Sequence, residues 1–266
     1  MSNVKMHDNE TDIDESLVRK LLNEQFPQWA NLPITLVQSA GTDNAIYRLG
    51  ADKCVRLPRI PGAAKDVEKE QLWLPLFAST LPLAIPTPIG RGNPTELYPF
   101  KWSIFPWIEG GNATTELIVA KNQAAVTLAQ FIIALQKISI TNAPPSRRGV
   151  PLATQDNETR RAIKSLQTSI NTEAVTALWE ESLQVSNWNK PPVWTHGDLL
   201  PSNILVRNHE LCSVIDFGLM GVGDPACDLI PAWGLFSADT RHVFRSALGV
   251  DEATWLRGRG WALSVA

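Results

Sequence analysis

Three oxygen-bearing side chains stand close together in the last third of the chain. Asp198 and Asn203 follow one short apolar run, and Asp216 follows another. The β-branched residues in these runs predict strand, polar loop, strand, turn and strand over residues 193–216. Two short strands would bring the three side chains to one rim, where carboxylate and amide oxygens suit a hard cation and its phosphate ligands. The stretch therefore predicts a site for both.

The spacing of these residues makes the pattern specific. Residues 196–203 have the sequence His-Gly-Asp-Leu-x-x-x-Asn, and residues 216–218 are Asp-Phe-Gly. The two segments match the catalytic loop and the metal-binding turn of the protein-kinase signature, with Gly197 where protein kinases usually carry Arg. Together with Gly-Asp-Pro-Ala-Cys-Asp-Leu at residues 223–229, they form a pattern that resembles the aminoglycoside phosphotransferase family of small-molecule kinases.

The resemblance implies a role for each of these residues. Asp198 is expected to be the catalytic base facing the substrate hydroxyl, while Asn203 and Asp216 hold Mg²⁺ against the nucleotide phosphates. His196 and Asp228 are expected to support the catalytic loop, with Asp228 as a buried carboxylate that braces the backbone of the loop.

Two other interpretations of these motifs are weaker. The first is a hairpin that is rich in Asp and Asn and contains Asp-Phe-Gly by chance, but this would not explain why two linked motifs occur in the correct order. A metallophosphatase could use a His-Gly-Asp segment, but its metal ions need several His and Asp clusters. The four histidines of the sequence form no metal-ligand pair: His7, His196, His209 and His242.

The first part of the chain has the pattern of an antiparallel sheet. Apolar runs at residues 34–38, 45–49 and 53–57 predict three strands. The small residues of the turn at 39–44 would let backbone N–H groups approach a phosphate, although without a Gly-x-Gly-x-x-Gly an ordinary hairpin is the simpler explanation. In the family that the chain resembles, the matching loop offers a hydroxyl to the phosphates, and Thr42 occupies that position.

In the same family the third strand carries a lysine that pairs with the nucleotide phosphates, and Arg56 stands there in this chain. Arginine supplies a fixed charge and a bidentate fork, but it is longer and planar, so the phosphate geometry need not be that of lysine. A solvent-facing arginine is the alternative. The expected acidic partner lies on a helix predicted at residues 63–77, where the resemblance points to Glu70 and Glu68 fits a solvated face.

An apolar strand that runs into a turn is predicted at residues 101–110. In kinase-like folds the equivalent strand leads to backbone groups that bind the adenine edge. The resemblance makes the Pro106 carbonyl and the Ile108 amide these contacts, with Phe105 lining the base pocket. Pro106 cannot donate, which suits a position whose carbonyl is used. A buried edge strand with a Pro bulge is the alternative.

Helical periodicity dominates the rest of the chain. The clearest helix is predicted at residues 114–139, where apolar residues recur every three or four positions. Asp224 and Pro225 predict an N-cap and a first helical residue, and thus a helix running toward Phe236. The last predicted helix stops within an apolar pattern and has no C-cap residue, so we expect a truncated chain. Further helices are predicted at residues 11–22, 157–170, 172–184, 240–248 and from 251 onward.

The composition excludes several classes of protein. The chain has 266 residues, a net charge of −3 and a pI near 5.8. No Lys- or Arg-rich run gives it a nucleic-acid or anionic-membrane footprint. Its three cysteines include no Cys-x-x-Cys pair, and no signal peptide or apolar stretch of membrane-spanning length occurs. We therefore expect a reduced, cytoplasmic protein.

The resemblance, together with the predicted order of strands and helices, implies an α+β, two-lobed protein-kinase-like fold. Residues 1–110 are expected to form a nucleotide-binding lobe, mainly antiparallel β, and residues 111–266 a helical lobe with the catalytic hairpin. The expected reaction moves the γ-phosphoryl of ATP or GTP, with Mg²⁺, to a hydroxyl of a small polar molecule.

The identity of the acceptor is open, because a fold does not fix its substrate. Aminoglycosides lead by resemblance, which would make the chain an antibiotic-resistance enzyme. Macrolides, choline, homoserine or a sugar are alternative acceptors. A nucleotide-binding module without turnover is the alternative from a different class of protein.

Overall fold

The computed structural model describes residues 11–38 and 43–266. They form two compact units: the first comprises the described residues up to 79 together with residues 85–109, and the second comprises residues 80–84 and 110–266. The assignment of a nucleotide-binding role to residues 1–110 and a catalytic role to residues 111–266 stays a prediction.

The first unit is an antiparallel sheet accompanied by two helices. Its described strands form one five-stranded sheet in the order β1-β2-β3-β5-β4, with every pair antiparallel. The elements are α1 (Glu15–Gln25), β1 (Ile34–Leu36), β2 (Asn44–Leu49), β3 (Lys53–Pro58), α2 (Pro61–Ala78), β4 (Gly90–Gly92) and β5 (Trp102–Pro106).

Local sequence explains how these elements form. Along β2 every second residue is buried, which is the periodicity of a strand with one face on a core. Helix α1 begins after Asp14, whose side chain accepts a 2.7 Å hydrogen bond from the Leu17 amide. Because this cap fixes the first turn, the helix starts later than the predicted Thr11. Leu21 and Leu22 of α1 are fully buried in the core of this unit.

The second unit is mainly helical and contains two small sheets. Strands β6, β8 and β9 form one sheet, and β7 pairs with β10 in the other. No helix in the described part of the chain combines the length and hydropathy that a membrane crossing requires. The elements are β6 (Gly111–Asn112), α3 (Lys121–Gln136), α4 (Asp156–Ser165), α5 (Thr172–Gln184), β7 (Val193–Thr195), β8 (Ile204–Arg207), β9 (Glu210–Val214), β10 (Gly221–Gly223), α6 (Pro231–Gly234), α7 (Ala238–Leu248) and α8 (Glu252–Ser264).

The predicted succession of strand, loop, strand, turn and strand is present over residues 193–216. Strands β8 and β9 pair through a two-residue turn at Asn208 and His209, whose φ values of 53° and 68° lie in the left-handed region. Asn tolerates this region better than most residues. Strand β7 pairs with β10 and not with β8, so the loop from 196 to 203 connects two different sheets.

Three more helix predictions are wrong in extent. The helix predicted at residues 157–170 ends at Ser165. The helix predicted at residues 114–139 begins only at Lys121, and the preceding residues form turns that bury Ile118. The helix predicted from Pro225 to Phe236 is divided into a 3₁₀ turn, Pro225–Leu229, and the short α6. Pro231 fits the division, since it lacks the amide N–H that a continuous helix would use at this position.

Candidate active site

The loop between β7 and β8 folds back on itself and brings Asp198 and Asn203 into contact. The side-chain amide of Asn203 donates to the Asp198 carbonyl at 2.9 Å and to Asp198 Oδ2 at 3.0 Å. A 3₁₀ turn, Pro201–Asn203, closes the loop, and the Leu200 amide donates to the Asp198 carbonyl at 2.7 Å. These bonds orient the Asp198 side chain, of which 18% remains exposed.

Gly197 has the backbone conformation that explains its place in this loop. Its φ is 82°, a region that favours glycine, and a Cβ there would press against the Leu219 carbonyl oxygen. An arginine at this position, as in protein kinases, would therefore be strained in this loop.

Asn203 and Asp216 present oxygen atoms from neighbouring stretches of backbone. The Asn203 amide nitrogen is engaged by Asp198, which leaves its Oδ1 without a donor among the described side chains and amides. The Ile215 amide donates to the Asn203 carbonyl at 2.8 Å, which places the adjacent Asp216 beside Asn203. Asp216 adopts φ 62° and ψ 71°, a conformation that non-glycine residues hold mainly where the surroundings enforce it.

The donors in this region suit a cation that completes its coordination with phosphate and water. Within residues 11–38 and 43–266, no cluster of three or more His, Cys, Asp or Glu side chains forms a protein-only metal site. One carboxylate, from Asp216, and one amide oxygen, from Asn203, are a typical protein contribution to Mg²⁺, which is usually held by few carboxylates plus substrate phosphates. The residues present therefore fit this ion.

Asp228 braces the start of the loop from the interior. Its two carboxylate oxygens accept hydrogen bonds from the His196 amide at 2.8 Å and the Gly197 amide at 2.7 Å. The residue is completely buried, and burial raises the pKa of Asp228 to about 7 in spite of these two bonds. Asp228 thus lies where the resemblance places a carboxylate that supports the loop backbone.

His196 links the loop to the segment that carries Asp216. Its Nδ1 accepts from the Asp198 amide at 3.1 Å, and Nε2 lies 3.1 Å from the Ile215 carbonyl oxygen, to which it donates. This pattern requires the neutral tautomer with a proton on Nε2. Burial lowers the pKa of His196, which favours the neutral form, and the ring packs edge-on against Phe217 with centroids 4.5 Å apart.

Two arginines that the sequence analysis did not identify form ion pairs with aspartates of the sequence motifs. Arg148 forms an ion pair with Asp198, although it lies in a proline-rich connection without a motif. Arg257 of α8 forms a buried ion pair with Asp224, with Nε 2.7 Å from Oδ2 and Nη2 3.2 Å from Oδ1. The capping pattern of Asp224 and Pro225 identified Asp224 but gave no indication of its partner.

In the first unit, β3 and α2 bring Arg56 and Glu70 into an ion pair, in which the side chains are 11% and 1% exposed. The alternative of a solvent-facing Arg56 does not hold. The Arg56 guanidinium also lies 5.6 Å from the centre of the Phe105 ring. Glu68 pairs instead with Lys101 at 2.8 Å and is largely exposed.

The end of β5 and the segment after it contain the residues that are predicted to contact adenine. Phe105 is buried, and the exposed Pro106 pairs with Lys53 at the end of the β3–β5 ladder. The Trp107 amide donates to the Asp52 carbonyl at 2.8 Å, whereas the Ile108 amide has no acceptor among the described residues. Thr42, the predicted hydroxyl of the phosphate loop, lies outside the described residues.

Comparisons with known proteins assign the chain to a family. The sequence profile of the phosphotransferase enzyme family matches residues 36–261. Comparison with curated proteins gave no match.

Several solved structures share the fold of this chain. The GDP complex of wild-type aminoglycoside 2'-phosphotransferase-IIIa has a TM-score of 0.71 and 18% identity, with 95% of this chain and 88% of that chain covered. The ternary complex of streptomycin, ATP and APH(2'')-IIa has a TM-score of 0.63 and 19% identity, with 94% of this chain and 86% of that chain covered. Macrolide 2'-phosphotransferase MphH from Brachybacterium faecium has a TM-score of 0.62 and 20% identity, with 94% of this chain and 88% of that chain covered.

The predicted α+β, protein-kinase-like fold is confirmed by these similarities, as is the prediction that the chain is an enzyme of the phosphotransferase class. The match to the family profile covers most of the sequence, including every described residue of the candidate site. The chain belongs to the phosphotransferase enzyme family.

Proposed function

We propose that this protein transfers the γ-phosphoryl group of ATP or GTP to a hydroxyl of a small polar molecule. The observation that carries the proposal is the arrangement of Asp198, Asn203 and Asp216. The partly exposed carboxylate of Asp198 contacts the Asn203 amide, and the hydrogen bond from Ile215 to Asn203 holds the adjacent Asp216 near Asn203. Phosphoryl transfer asks the protein mainly for positioning and charge stabilisation, and this set supplies both.

Asp198 is the proposed general base. Its carboxylate accepts the proton of the acceptor hydroxyl as the acceptor oxygen forms a bond to the γ-phosphorus. The bond between the γ-phosphorus and the bridging oxygen to the β-phosphate breaks, and the nucleoside diphosphate leaves with that oxygen. The hydrogen bond from Asn203 to Oδ2 helps to keep the carboxylate in one orientation, and 18% of the Asp198 side chain remains exposed.

Asn203 and Asp216 are the proposed Mg²⁺ ligands. When bound, Mg²⁺ would neutralise part of the phosphate charge and orient the phosphate oxygens. His196 maintains the geometry of this set from the interior, because it bonds both the Asp198 amide and the residue before Asp216. Asp228 holds the two residues that precede Asp198.

The first unit supplies the proposed nucleotide contacts. Arg56 would bind the phosphates, with Glu70 fixing the direction of its guanidinium fork. The Pro106 carbonyl and the Ile108 amide would bind the adenine edge, and the open Ile108 amide supports this role. Phe105 would line the base pocket, and the Thr42 hydroxyl would contact the phosphates as in the resembling family.

Aminoglycosides are the first acceptors to test, because solved relatives with the same fold include aminoglycoside phosphotransferases. A macrolide is the second, since macrolide 2'-phosphotransferases also share the fold. Choline, homoserine and sugars are further candidates in the same reaction class. With an aminoglycoside or a macrolide as acceptor, the role would be antibiotic resistance. A cytoplasmic location is part of the proposal for every acceptor.

A nucleotide-binding module without turnover is the second candidate, and one observation favours it. Arg56 stands where the resembling family carries a phosphate-binding lysine, and its longer, planar guanidinium need not position the phosphates as a lysine does. Release of ADP or GDP should be measured with kanamycin, erythromycin, choline, homoserine and glucose as acceptors. We expect turnover with at least one of them, whereas nucleotide binding without turnover on the whole panel would favour the module.

The variant Asp198→Ala tests the base directly. It should retain nucleotide binding and cooperative melting but lose transfer by about 100-fold or more, as expected for removal of a general base. A matched control is Asp239→Ala, which removes an exposed carboxylate in the first turn of α7. Unchanged turnover of the Asp198 variant would remove Asp198 from the mechanism.

A further inference from the structure

The Asp198 carboxylate is held from outside its own loop. Nη1 of Arg148 donates to the Gly197 carbonyl oxygen at 3.1 Å and also forms the ion pair with Asp198 Oδ1. Arg148 lies in the connection between α3 and α4, and 25% of its side chain is exposed. One guanidinium nitrogen therefore contacts both the backbone and the side chain of the catalytic loop.

The segment that carries Arg148 is itself firmly held. We call residues 144–149 the Arg148 segment. The Ser146 amide donates to the Val222 carbonyl at 3.0 Å, and the Val222 amide donates to the Pro144 carbonyl at 2.8 Å. The segment thus lies along β10 as a third stretch of backbone, with its own hydrogen bonds to Val222.

Ser146 organises the turn that presents Arg148. Its hydroxyl oxygen accepts hydrogen bonds from the Arg148 amide at 3.2 Å and the Gly149 amide at 2.9 Å. The Thr195 hydroxyl at the end of β7 also donates to it at 3.1 Å. Ser146 is buried, so this turn has a fixed position relative to the strand that leads into the catalytic loop.

Glycines in β10 allow this close approach. A Cβ on Gly221 would overlap the backbone of Ser146, and a Cβ on Gly223 would overlap the carbonyl of Gly149. The Asp224 amide then donates to the Gly149 carbonyl at 2.9 Å. The Gly-Val-Gly sequence of β10 therefore has a structural function: it seats the Arg148 segment against the catalytic strands.

We propose that Arg148 is a positioning residue for phosphoryl transfer, acting through Asp198. This inference rests on the proposed function, because it assigns Asp198 the role of base. The hydrogen bond from Asn203 holds Oδ2 and the ion pair with Arg148 holds Oδ1, so the carboxylate plane has one orientation. With both oxygens engaged on the protein side, the remaining lone pairs face the acceptor hydroxyl.

Charge considerations support an arginine in this place. The residues between Asp198 and Asn203 are Leu-Leu-Pro-Ser, so the catalytic loop itself provides no cation. Asp198 and Asp216 are two carboxylates in one small region, and an adjacent cation reduces the repulsion between them. Arginine is suited to bond a carboxylate and a carbonyl together because its donors have a fixed planar arrangement.

The test compares substitutions at Arg148 with a matched substitution at its neighbour. Steady-state kinetics should be measured for Arg148→Met, Arg148→Gln and Arg148→Lys, using the acceptor of the panel that the unaltered protein phosphorylates fastest. Arg147→Met is the control, because Arg147 is adjacent, carries the same charge and is exposed. Thermal melting of each variant reports whether the fold is retained.

A positioning role predicts a specific pattern. Arg148→Met and Arg148→Gln should lower kcat by about 10- to 100-fold, since misplacing a catalytic group by about 1 Å can cost about 100-fold. The KM for nucleotide should stay within about twofold, because Arg148 acts on the base and not on nucleotide binding. Arg148→Lys should recover part of kcat, and free guanidinium should partly rescue Arg148→Met.

The outcomes distinguish failure of this inference from failure of the proposed function. If Arg148→Met does not melt cooperatively, Arg148→Gln carries the test, since it retains a hydrogen-bond donor without the charge. Unaltered kcat in a folded Met or Gln variant, or an equal loss in Arg147→Met, would overturn the inference while leaving the proposed function in place. Absence of turnover in the unaltered protein with every acceptor would overturn both.

Discussion

The Oδ1 atom of Asp228 accepts a 2.7 Å hydrogen bond from the Gly197 amide, which ties a buried 3₁₀ turn directly to the residue before Asp198. Asp228 therefore anchors the start of the loop from 196 to 203 in the protein interior. His196, the other residue it bonds, is equally buried. Burial raises the pKa of Asp228 to about 7 and lowers the pKa of His196, so the two groups have opposite effects on stability as pH changes.

The signs of these effects follow from proton binding. The folded protein binds the Asp228 proton more tightly than the unfolded chain, so this stabilisation is complete below the usual pKa of 3.8 and is lost as pH rises to about 7. The folded protein binds the His196 proton less tightly, so this stabilisation is complete above the usual pKa of 6.5 and is lost as pH falls. Between about pH 5 and 6.5 the two slopes oppose each other.

The first prediction separates the two slopes by mutation. In Asp228→Asn the free energy of unfolding should rise with pH between about 5 and 6.5, because only His196 remains. In His196→Asn it should fall over about pH 5 to 7. Each slope has an upper limit of about 1.4 kcal/mol per pH unit, and urea titrations of both variants and the unaltered protein measure them.

Asn is the suitable replacement at both positions because it retains hydrogen-bonding groups and does not titrate. An exposed carboxylate variant, Glu210→Gln, should leave the pH dependence unchanged. Parallel pH profiles for Asp228→Asn and the unaltered protein would show that Asp228 has the same proton affinity in the folded and unfolded states.

The second prediction concerns metal removal. EDTA should weaken ATP binding strongly in the unaltered protein and far less in Asp216→Ala, because Mg²⁺ neutralises phosphate charge at that carboxylate. Isothermal titration with and without EDTA measures both affinities. Asp239→Ala serves as the control and should respond to EDTA as the unaltered protein does. Equal EDTA sensitivity in Asp216→Ala would remove Asp216 from the proposed metal site.

The third prediction concerns the ion pair of Arg56 and Glu70. Arg56→Ala should raise the Kd for nucleotide by about 10-fold or more, because a charge-assisted contact contributes about 1.5–3 kcal/mol. Arg56→Lys should recover part of this loss, since a point charge replaces part of the fork. Lys101→Ala removes an exposed ion pair in the same unit and should leave the Kd unchanged. A wild-type Kd in Arg56→Ala would separate Arg56 from the phosphates.

Much of the candidate site could be predicted because its residues are close in sequence. Asp198 and Asn203 lie in one loop, and the β8–β9 hairpin that leads to Asp216 is specified by short apolar runs and a turn. Local rules of periodicity and turn formation are sufficient for such a segment. Arg56 and Glu70 required the family resemblance as well, because periodicity places them on a strand and a helix but does not pair them.

Contacts between distant segments could not be predicted. Arg148 is 50 residues from Asp198, and a proline-rich connection has no periodicity that would indicate its direction. The pairing of β7 with β10 depends on close approach at Gly221 and Gly223, which spacing alone does not reveal. The helix predicted from residue 114 failed because apolar periodicity does not distinguish a helical turn from other turns that bury Ile118.

The fourth prediction concerns the buried ion pair of Asp224 and Arg257, whose side chains are 4% and 3% exposed. Arg257→Met should lower the free energy of unfolding by about 3–5 kcal/mol, because it leaves the Asp224 carboxylate buried without its charge partner. The double variant Asp224→Asn with Arg257→Met should recover part of this loss, because no charge is then left in the interior. Arg259 lies on the same helix as Arg257 and pairs with the exposed Glu181. Arg259→Met should therefore cost less than about 1 kcal/mol of the free energy of unfolding. Denaturant unfolding of the four proteins measures these differences, and equal losses for Arg257→Met and Arg259→Met would mean that burial does not distinguish the two pairs.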